Sequence, residues 1–220
     1  LATFCVGFPM LIAIVMFFKM LGLEAGGAGG DLIKGFGLRE PLQFSTKWIE
    51  IPGLPDITLG FLVDNVTIIM LVVVTVVSFL VHLFSKGYMH GDSNYWVFYR
   101  WLGFFTFSML MLVVSDNLLT LFVAWELMGL SSYKLIGHYF QKESAYLACK
   151  KAFMVTRIGD VGMFLGLVAL YLHTKTMQFD GIFAAMKTGV ESGAIPVSVV
   201  TWISLGLFMG AMGKSAQFPL

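Results

Sequence analysis

The stretch LGFLVDNVTIIMLVVVTVVSFLVHLF, residues 59–84, holds a single acid, Asp64, and no Lys or Arg in 26 positions. A helix that crosses the hydrocarbon core of a bilayer needs about 20 mostly apolar residues. This run exceeds that length, and its apolar character is continuous around the helix axis, whereas a helix on a soluble core keeps one polar face. Backbone polar groups in hydrocarbon must be satisfied within the segment, so the run is read as a membrane-spanning helix.

Working outward, the same pattern recurs. Apolar stretches cover 1–21, 98–114, 118–140 and 145–172, and another opens near Val197 and runs to the end of the chain at 220. The whole chain is 58% hydrophobic and 12% charged, with a mean hydropathy of +0.84. Soluble domains run at about 25% charged, so an ordinary globular protein and a nucleic-acid binder are excluded. The net charge of +1 adds no argument for a polyelectrolyte partner. The fold class is an all-α polytopic membrane protein with about six transmembrane helices and the bilayer as its surround.

Residues 22–58 form a connection with the glycine run Gly26–Gly30, apart from Ala28, and turn signals at Pro52-Gly53 and Pro55. Weak alternation over Phe44–Ile51, with Lys47 and Glu50 outward and Trp48 and Ile51 inward, predicts a short hairpin at about 42–58 on the membrane surface. The short connections that carry Lys86, Lys142, Lys150 and Lys151 mark the cytoplasmic side or its organellar equivalent. The hairpin then lies on the outer side. The first run, 1–21, lacks the basic start and small-residue cleavage site of a signal peptide. The chain begins at Leu1 and stops inside an apolar run, so it is read as an N-terminal piece of a longer polypeptide. Cys5 and Cys149 have no paired spacing and are read as buried small hydrophobes.

An ionisable group near the bilayer centre costs at least about 2.5–3.5 kcal/mol, so each one needs a partner or a pathway. The deep candidates are Glu126 and Lys134 in 118–140, Arg157 and Asp160 in 145–172, and Lys214 in the last segment. Lys134 is eight residues beyond Glu126, about 80° round and about 12 Å along a helix, too far for a direct bridge. Arg157 and Asp160 are three apart and share a helix face. They are read either as a structural clamp or as part of a pathway. Spacings of small residues at Gly162/Gly166 and Gly206/Gly210 allow close helix contact.

Lys214 lies in GAMGKSAQFP, residues 210–219. Gly213-Lys214-Ser215 is not a phosphate loop, because that motif needs Gly at position 208, which is Phe, and a preceding strand. What remains is a lysine where glycines thin a membrane helix and Pro219 interrupts it, so the last helix is predicted to break near Lys214–Pro219. Broken helices with an ionisable group at mid-depth build ion pathways. A buried lysine loses affinity for its proton and regains it when a carboxylate approaches. Lys214 with Glu126 therefore reads as a proton site whose affinity follows geometry, or equally as a static salt bridge. His138, at the end of 118–140, is a candidate relay or an interfacial residue.

Three motifs together resemble a known family. SDNLL at 115–119 running into WELMGLSSY at 125–133, VTRIGDVG at 155–162 and GKSAQFPL at 213–220 resemble the antiporter-like subunit L, or chain 5, of NADH:quinone oxidoreductase, respiratory complex I. The resemblance implies that Glu126 and Lys214 are the glutamate and lysine of a first proton half-channel. It also implies that Arg157 and Asp160 belong to the family's Thr-Arg-x-Gly-Asp motif. No cofactor is implied on this chain; NADH, FMN, iron–sulfur clusters and quinone are expected on partner subunits of the membrane-embedded assembly. Lys134 departs from the family pattern, in which an apolar residue is usual. The large subunit of an Mrp-type sodium/proton antiporter is similar in the same helices and is the alternative, and a structural subunit with static charge clamps is the third. The implied location is a bacterial plasma membrane, with an organellar energy-converting membrane as the alternative.

Overall fold

The computed structural model describes residues 2–21, 41–49 and 57–218. Six of its helices are long and apolar enough to cross a membrane: α1 (Ala2–Met20), α2 (Asn65–Tyr88), α3 (Tyr95–Val114), α4 (Leu118–Ile136), α5 (Glu143–Thr174) and α7 (Val197–Lys214). The chain is a multi-pass membrane protein. Large apolar side chains face outward along these helices, Phe84, Trp202 and Phe208 among them, as a lipid solvent allows.

Two strands, β1 (Leu42–Ile49) and β2 (Ile57–Val63), form an antiparallel hairpin with Leu42 opposite Val63 and Ser45 opposite Gly60. The register shifts between Lys47 and Ile49. The expected hairpin is therefore present but reaches further than 58. This corrects the helix expected over 59–84: its first five residues are strand, and the helix begins at Asn65. The reason is local. Asp64 is an N-cap whose carboxylate accepts the Thr67 N–H at 2.7 Å, a standard helix start. Glu50, Ile51 and the glycine run at 26–30 lie outside the described residues.

The hairpin docks on the turn between α3 and α4. Asn117 caps α4 by accepting from Thr120 N–H at 2.7 Å, and its amide donates to the Thr58 carbonyl at 2.9 Å and to Asp116 at 2.8 Å. Gln178 adds a hydrogen bond to Thr58 at 3.3 Å. This end of the bundle is opposite the 137–142 turn that carries Lys142.

Helix α4 ends at Ile136, ahead of Gly137, four residues short of the expected 140, while α3 starts three residues before the expected 98. The last helix stops at Lys214 rather than running to 220. Helix α5 covers 143–174 and closes on Lys175 in the left-handed region at φ 56°. A short helix, α6 (Phe179–Glu191), fills much of the segment between α5 and α7. Its Phe179, Ile182, Phe183 and Met186 follow the i, i+3, i+4, i+7 pattern of an amphipathic helix. Ile182 joins Leu118, Leu167, Leu170 and Ile203 in a buried apolar cluster.

Helices α1 to α5 pack as sequential neighbours, and α7 lies along α5 in the most extensive contact. Glycines set that contact. A Cβ on Gly159 would stand 2.7 Å from the Met209 carbonyl oxygen and 3.0 Å from Gly213 Cα. One on Gly166 would stand 2.8 Å from Leu207 N. The expected small-residue spacings at Gly162/Gly166 and Gly206/Gly210 thus lie on one shared seam. Of the two cysteines, Cys149 is buried as expected, but Cys5 is exposed on the outer face of α1.

Candidate functional site

The seam brings the end of α7 against the middle of α5 and α4. Lys214 is the last residue of α7; Ser215 N–H returns to the Ala211 carbonyl at 3.0 Å and Gln217 N–H to that of Met212 at 3.1 Å. Ala216 between them takes a positive φ of 48°. Helix α7 therefore ends at the lysine, inside the 214–219 stretch where the break was expected. A cation at a helix C-terminus is favoured by the partial negative charge of the last carbonyls.

Four ionisable side chains meet here. Arg157 on α5 forms an ion pair with Glu126 on α4. The same guanidinium nitrogen stands 3.8 Å from Oδ2 of Asp160, one turn along α5. Asp160 is 3% exposed, and its Oδ1 accepts the indole N–H of Trp125 at 2.8 Å. Lys214 donates to the Trp125 carbonyl at 3.3 Å, lies 5.6 Å from the centre of the Trp125 ring, and sits in the field of Asp160 and Arg157. Gly129, one turn beyond Glu126, leaves room for the lysine: a Cβ there would collide with Lys214 Nζ.

The site differs from the sequence expectation in its pairing. The contact foreseen between Glu126 and Lys214 is replaced by Glu126–Arg157. Trp125, which sequence reasoning left out of the site, joins Lys214 to Asp160. Its position was open to reading: a tryptophan beside a mid-membrane acid carries an N–H that must find an acceptor when buried. The foreseen Arg157–Asp160 pairing is present only as the longer 3.8 Å contact.

Lys214 also lines a cavity of about 680 Å³ between α3, α4, α5 and α7, with Ser132, Tyr133, Thr156 and Lys151 on its wall. Lys151 stands two turns into α5 from the 137–142 turn, so the cavity extends from the site toward the lysine-rich end.

Lys134 and His138 lie outside the cluster. Because α4 ends at Ile136, Lys134 is close to a helix end, not deep, and packs over the rings of Tyr133 and Trp101 at 5.5 and 5.9 Å. His138 is beyond the helix and approaches Asp92, in the α2–α3 turn, at 3.4 Å. The Asn94 backbone N–H bonds Asp92 at 2.6 Å and, helped by His138, holds its carboxyl below the usual range despite desolvation. Desolvation, then the Asp92 charge, pushes the neighbouring Tyr139 phenol up.

The family described as NADH:quinone oxidoreductase/Mrp antiporter, TM, matches residues 115–220, and NADH-Ubiquinone oxidoreductase (complex I), chain 5 N-terminus, matches residues 48–99. The chain belongs to this antiporter-like family. It is 45% identical over 181 residues to NADH-quinone oxidoreductase subunit L of Neisseria meningitidis, covering 79% of this chain and 27% of the relative. It is 37% identical over 234 residues to NAD(P)H-quinone oxidoreductase subunit 5 of the Paulinella chromatophora chromatophore, covering 100% of this chain and 34% of that one. The chain thus spans about a third or less of these relatives. Among solved structures, the Mrp complex from Dietzia superposes with a TM-score of 0.75 at 22% identity, over 97% of this chain and 21% of that chain. That likeness shows the antiporter-like fold. The matched region 115–220 contains all five members of the cluster.

Proposed function

We propose that this chain is part of a proton-translocating membrane-arm subunit of a complex I-type NADH:quinone oxidoreductase. Glu126, Arg157, Asp160 and Lys214 form its proton-transfer site and Trp125 positions two of them. The observation that carries the reading is the meeting of two acids and two bases from three membrane-spanning helices at the end of α7. The 45% identity to a subunit L supports the same reading.

The chemistry follows from who holds whom. Arg157 stays protonated at any working pH, so the protons that move belong to Glu126, Asp160 and Lys214. The guanidinium already lies between both carboxylates. When it moves from Glu126 to Asp160, Glu126 loses its counter-charge and Lys214 loses much of the attraction of Asp160. A carboxylate stripped of its partner in a low-dielectric surround takes up a proton, and an ammonium so stripped releases one. A displacement of one side chain therefore passes a proton from Lys214 toward Glu126. The cavity on the Lys151 side lets Lys214 be reprotonated from the lysine-rich face. NADH oxidation and quinone reduction belong to partner subunits of the assembly, with FMN and iron–sulfur clusters there, and their turnover drives the displacement.

Measuring the proton-to-electron ratio in assembled complexes carrying Glu126→Gln or Lys214→Met tests the reading. Both variants assemble and oxidise NADH, but with a lowered ratio. An unchanged ratio in both overturns it. The Mrp-like fold keeps a second reading in play: a sodium-driven pH gradient in vesicles, formed without any electron donor, would assign the chain to an antiporter.

A further inference from the structure

Lys134 is not used by the proton site, and its surroundings suggest another role. At the lysine-rich end of the bundle a polar pocket of about 560 Å³ lies between α3 and α4, lined by Arg100, Lys134, His138, Tyr133 and Asn94 among others. Asp92, which lies beside the lining residues His138 and Asn94, is engaged by the His138 ring and the Asn94 backbone. Arg100 and Lys134 are both exposed and have no carboxylate within salt-bridge distance among the described residues.

A second hollow adjoins the pocket, sharing two of its wall residues. Arg100 and Trp101 also border a groove of about 740 Å³ whose other walls are Gly103, Phe104, Phe107 and Leu130. Positions 100, 103, 104 and 107 are one face of α3, and Leu130 stands one turn deeper on α4 than Lys134. The groove descends about 10 Å from Arg100 toward the bilayer centre, at 1.5 Å per residue. A Cβ added at Gly103 meets nothing within 4 Å, so the groove is open along this wall. Arg100 lies about 7.5 Å into α3 and Lys134 about 3 Å from the end of α4, both within reach of the headgroup boundary.

A two-cation pocket at the interface joined to an apolar groove running inward has the shape and charge order of a phospholipid. We propose that the α3–α4 face binds an anionic glycerophospholipid, with its phosphate between Arg100 and Lys134 and one acyl chain along Gly103, Phe104, Phe107 and Leu130. Charge complementarity selects the occupant. A zwitterionic lipid would bring its own cation beside two others, and the helix of a neighbouring subunit would need acids at this depth. Basic pockets at the cytoplasmic end of membrane helices bind such headgroups.

The test uses the assembled complex in nanodiscs of phosphatidylcholine, doped with either phosphatidylglycerol or phosphatidylcholine carrying a photoreactive diazirine in the acyl chain. Peptide mapping locates the label. Phosphatidylglycerol labels residues 101–107 and 130 several-fold more than phosphatidylcholine does, and inorganic phosphate at millimolar concentration does not compete. Each of Arg100→Gln and Lys134→Gln lowers that labelling about fivefold, the effect of one interfacial charge, without changing the phosphatidylcholine signal. Gly103→Leu keeps both cations and abolishes labelling of Phe104 and Phe107. Equal labelling by the two lipids in the native complex overturns the proposal, whether or not the variants assemble. So does displacement by free phosphate, or cross-linking of this face to a protein chain.

Discussion

Gly159 offers the sharpest test of how packing serves the site. Replacing it with alanine adds one methyl group where α5 and α7 touch backbone to backbone. The new Cβ would lie 2.7 Å from the Met209 carbonyl oxygen, about 0.7 Å short of an ordinary contact, and 3.0 Å from Gly213 Cα. Neither neighbour is the end of a flexible side chain, so the helices must separate. Overpacking of this kind costs about 1–3 kcal/mol.

The separation falls next to the chemistry. Gly213 precedes Lys214, whose hydrogen bond to the Trp125 carbonyl is already 3.3 Å long. Moving the end of α7 outward by about half an ångström breaks that bond and withdraws the ammonium from Asp160. A misplacement of about 1 Å in a reacting geometry can cost about a hundredfold, so proton transfer suffers as well as folding. The expected phenotype of Gly159→Ala is a complex that assembles at reduced yield, inactivates at lower temperature and pumps fewer protons per electron. Gly87→Ala is the control, because nothing lies within 4 Å of that site. Assembly by native electrophoresis, thermal inactivation in membranes and pumping stoichiometry are the readouts. If Gly159→Ala matches Gly87→Ala in all three, the argument that the glycine seam positions Lys214 fails.

Arg157→Ala leaves Glu126 without its ion-pair partner inside the membrane, and stranding a buried charge costs about 3–5 kcal/mol. It should assemble poorly, with assembly restored by adding Glu126→Gln; a fully assembled single variant would count against the ion pair as a clamp. Asn117→Ala removes the α4 cap and the bond to the Thr58 carbonyl, a loss of about 1–2 kcal/mol, and should speed protease cleavage in the hairpin while leaving α5 and α7 protected. Asp92 has a carboxyl pKa lowered from 3.8, so the unfolded turn binds more protons near that pH. The Asp92 contribution is present above about pH 4 and is lost as pH falls through the lower folded value. The protection factor of the Asn94 amide, its exchange rate corrected for the intrinsic pH dependence, should fall on acidification in the wild type and stay flat in Asp92→Asn.

The helices were legible because lipid as a solvent imposes a length and a composition that few other contexts share. The same rule blurred the boundaries it did not govern. Leu59–Val63 is as apolar as the helix that follows, and only the cap at Asp64 divides strand from helix. In the same way Gly137, more than any change in hydropathy, ends α4, and this moved Lys134 from the membrane interior to its edge. Helix α6 was missed because its apolar residues form a stripe, not a run.

The charged residues of the site were legible as a list, since a short list of charges in an apolar chain demands reasons. Their pairing was not legible. Which of Arg157 or Lys214 answers Glu126 depends on the rotation of α5 and on how closely α7 approaches it, and neither is written in the spacing along one helix. Gly159 meeting Gly213 fixes the approach, and the room left at Gly129 admits the lysine. Trp125 then becomes the go-between because its carbonyl and its indole face different helices. A switch needs groups that are close but not locked together. Here Arg157 binds one carboxylate and stands 3.8 Å from the other, an arrangement in which small movements of α5 against α4 change the partner. In the proposed exchange, the glycines that bring the helices together matter as much as the charges the helices carry.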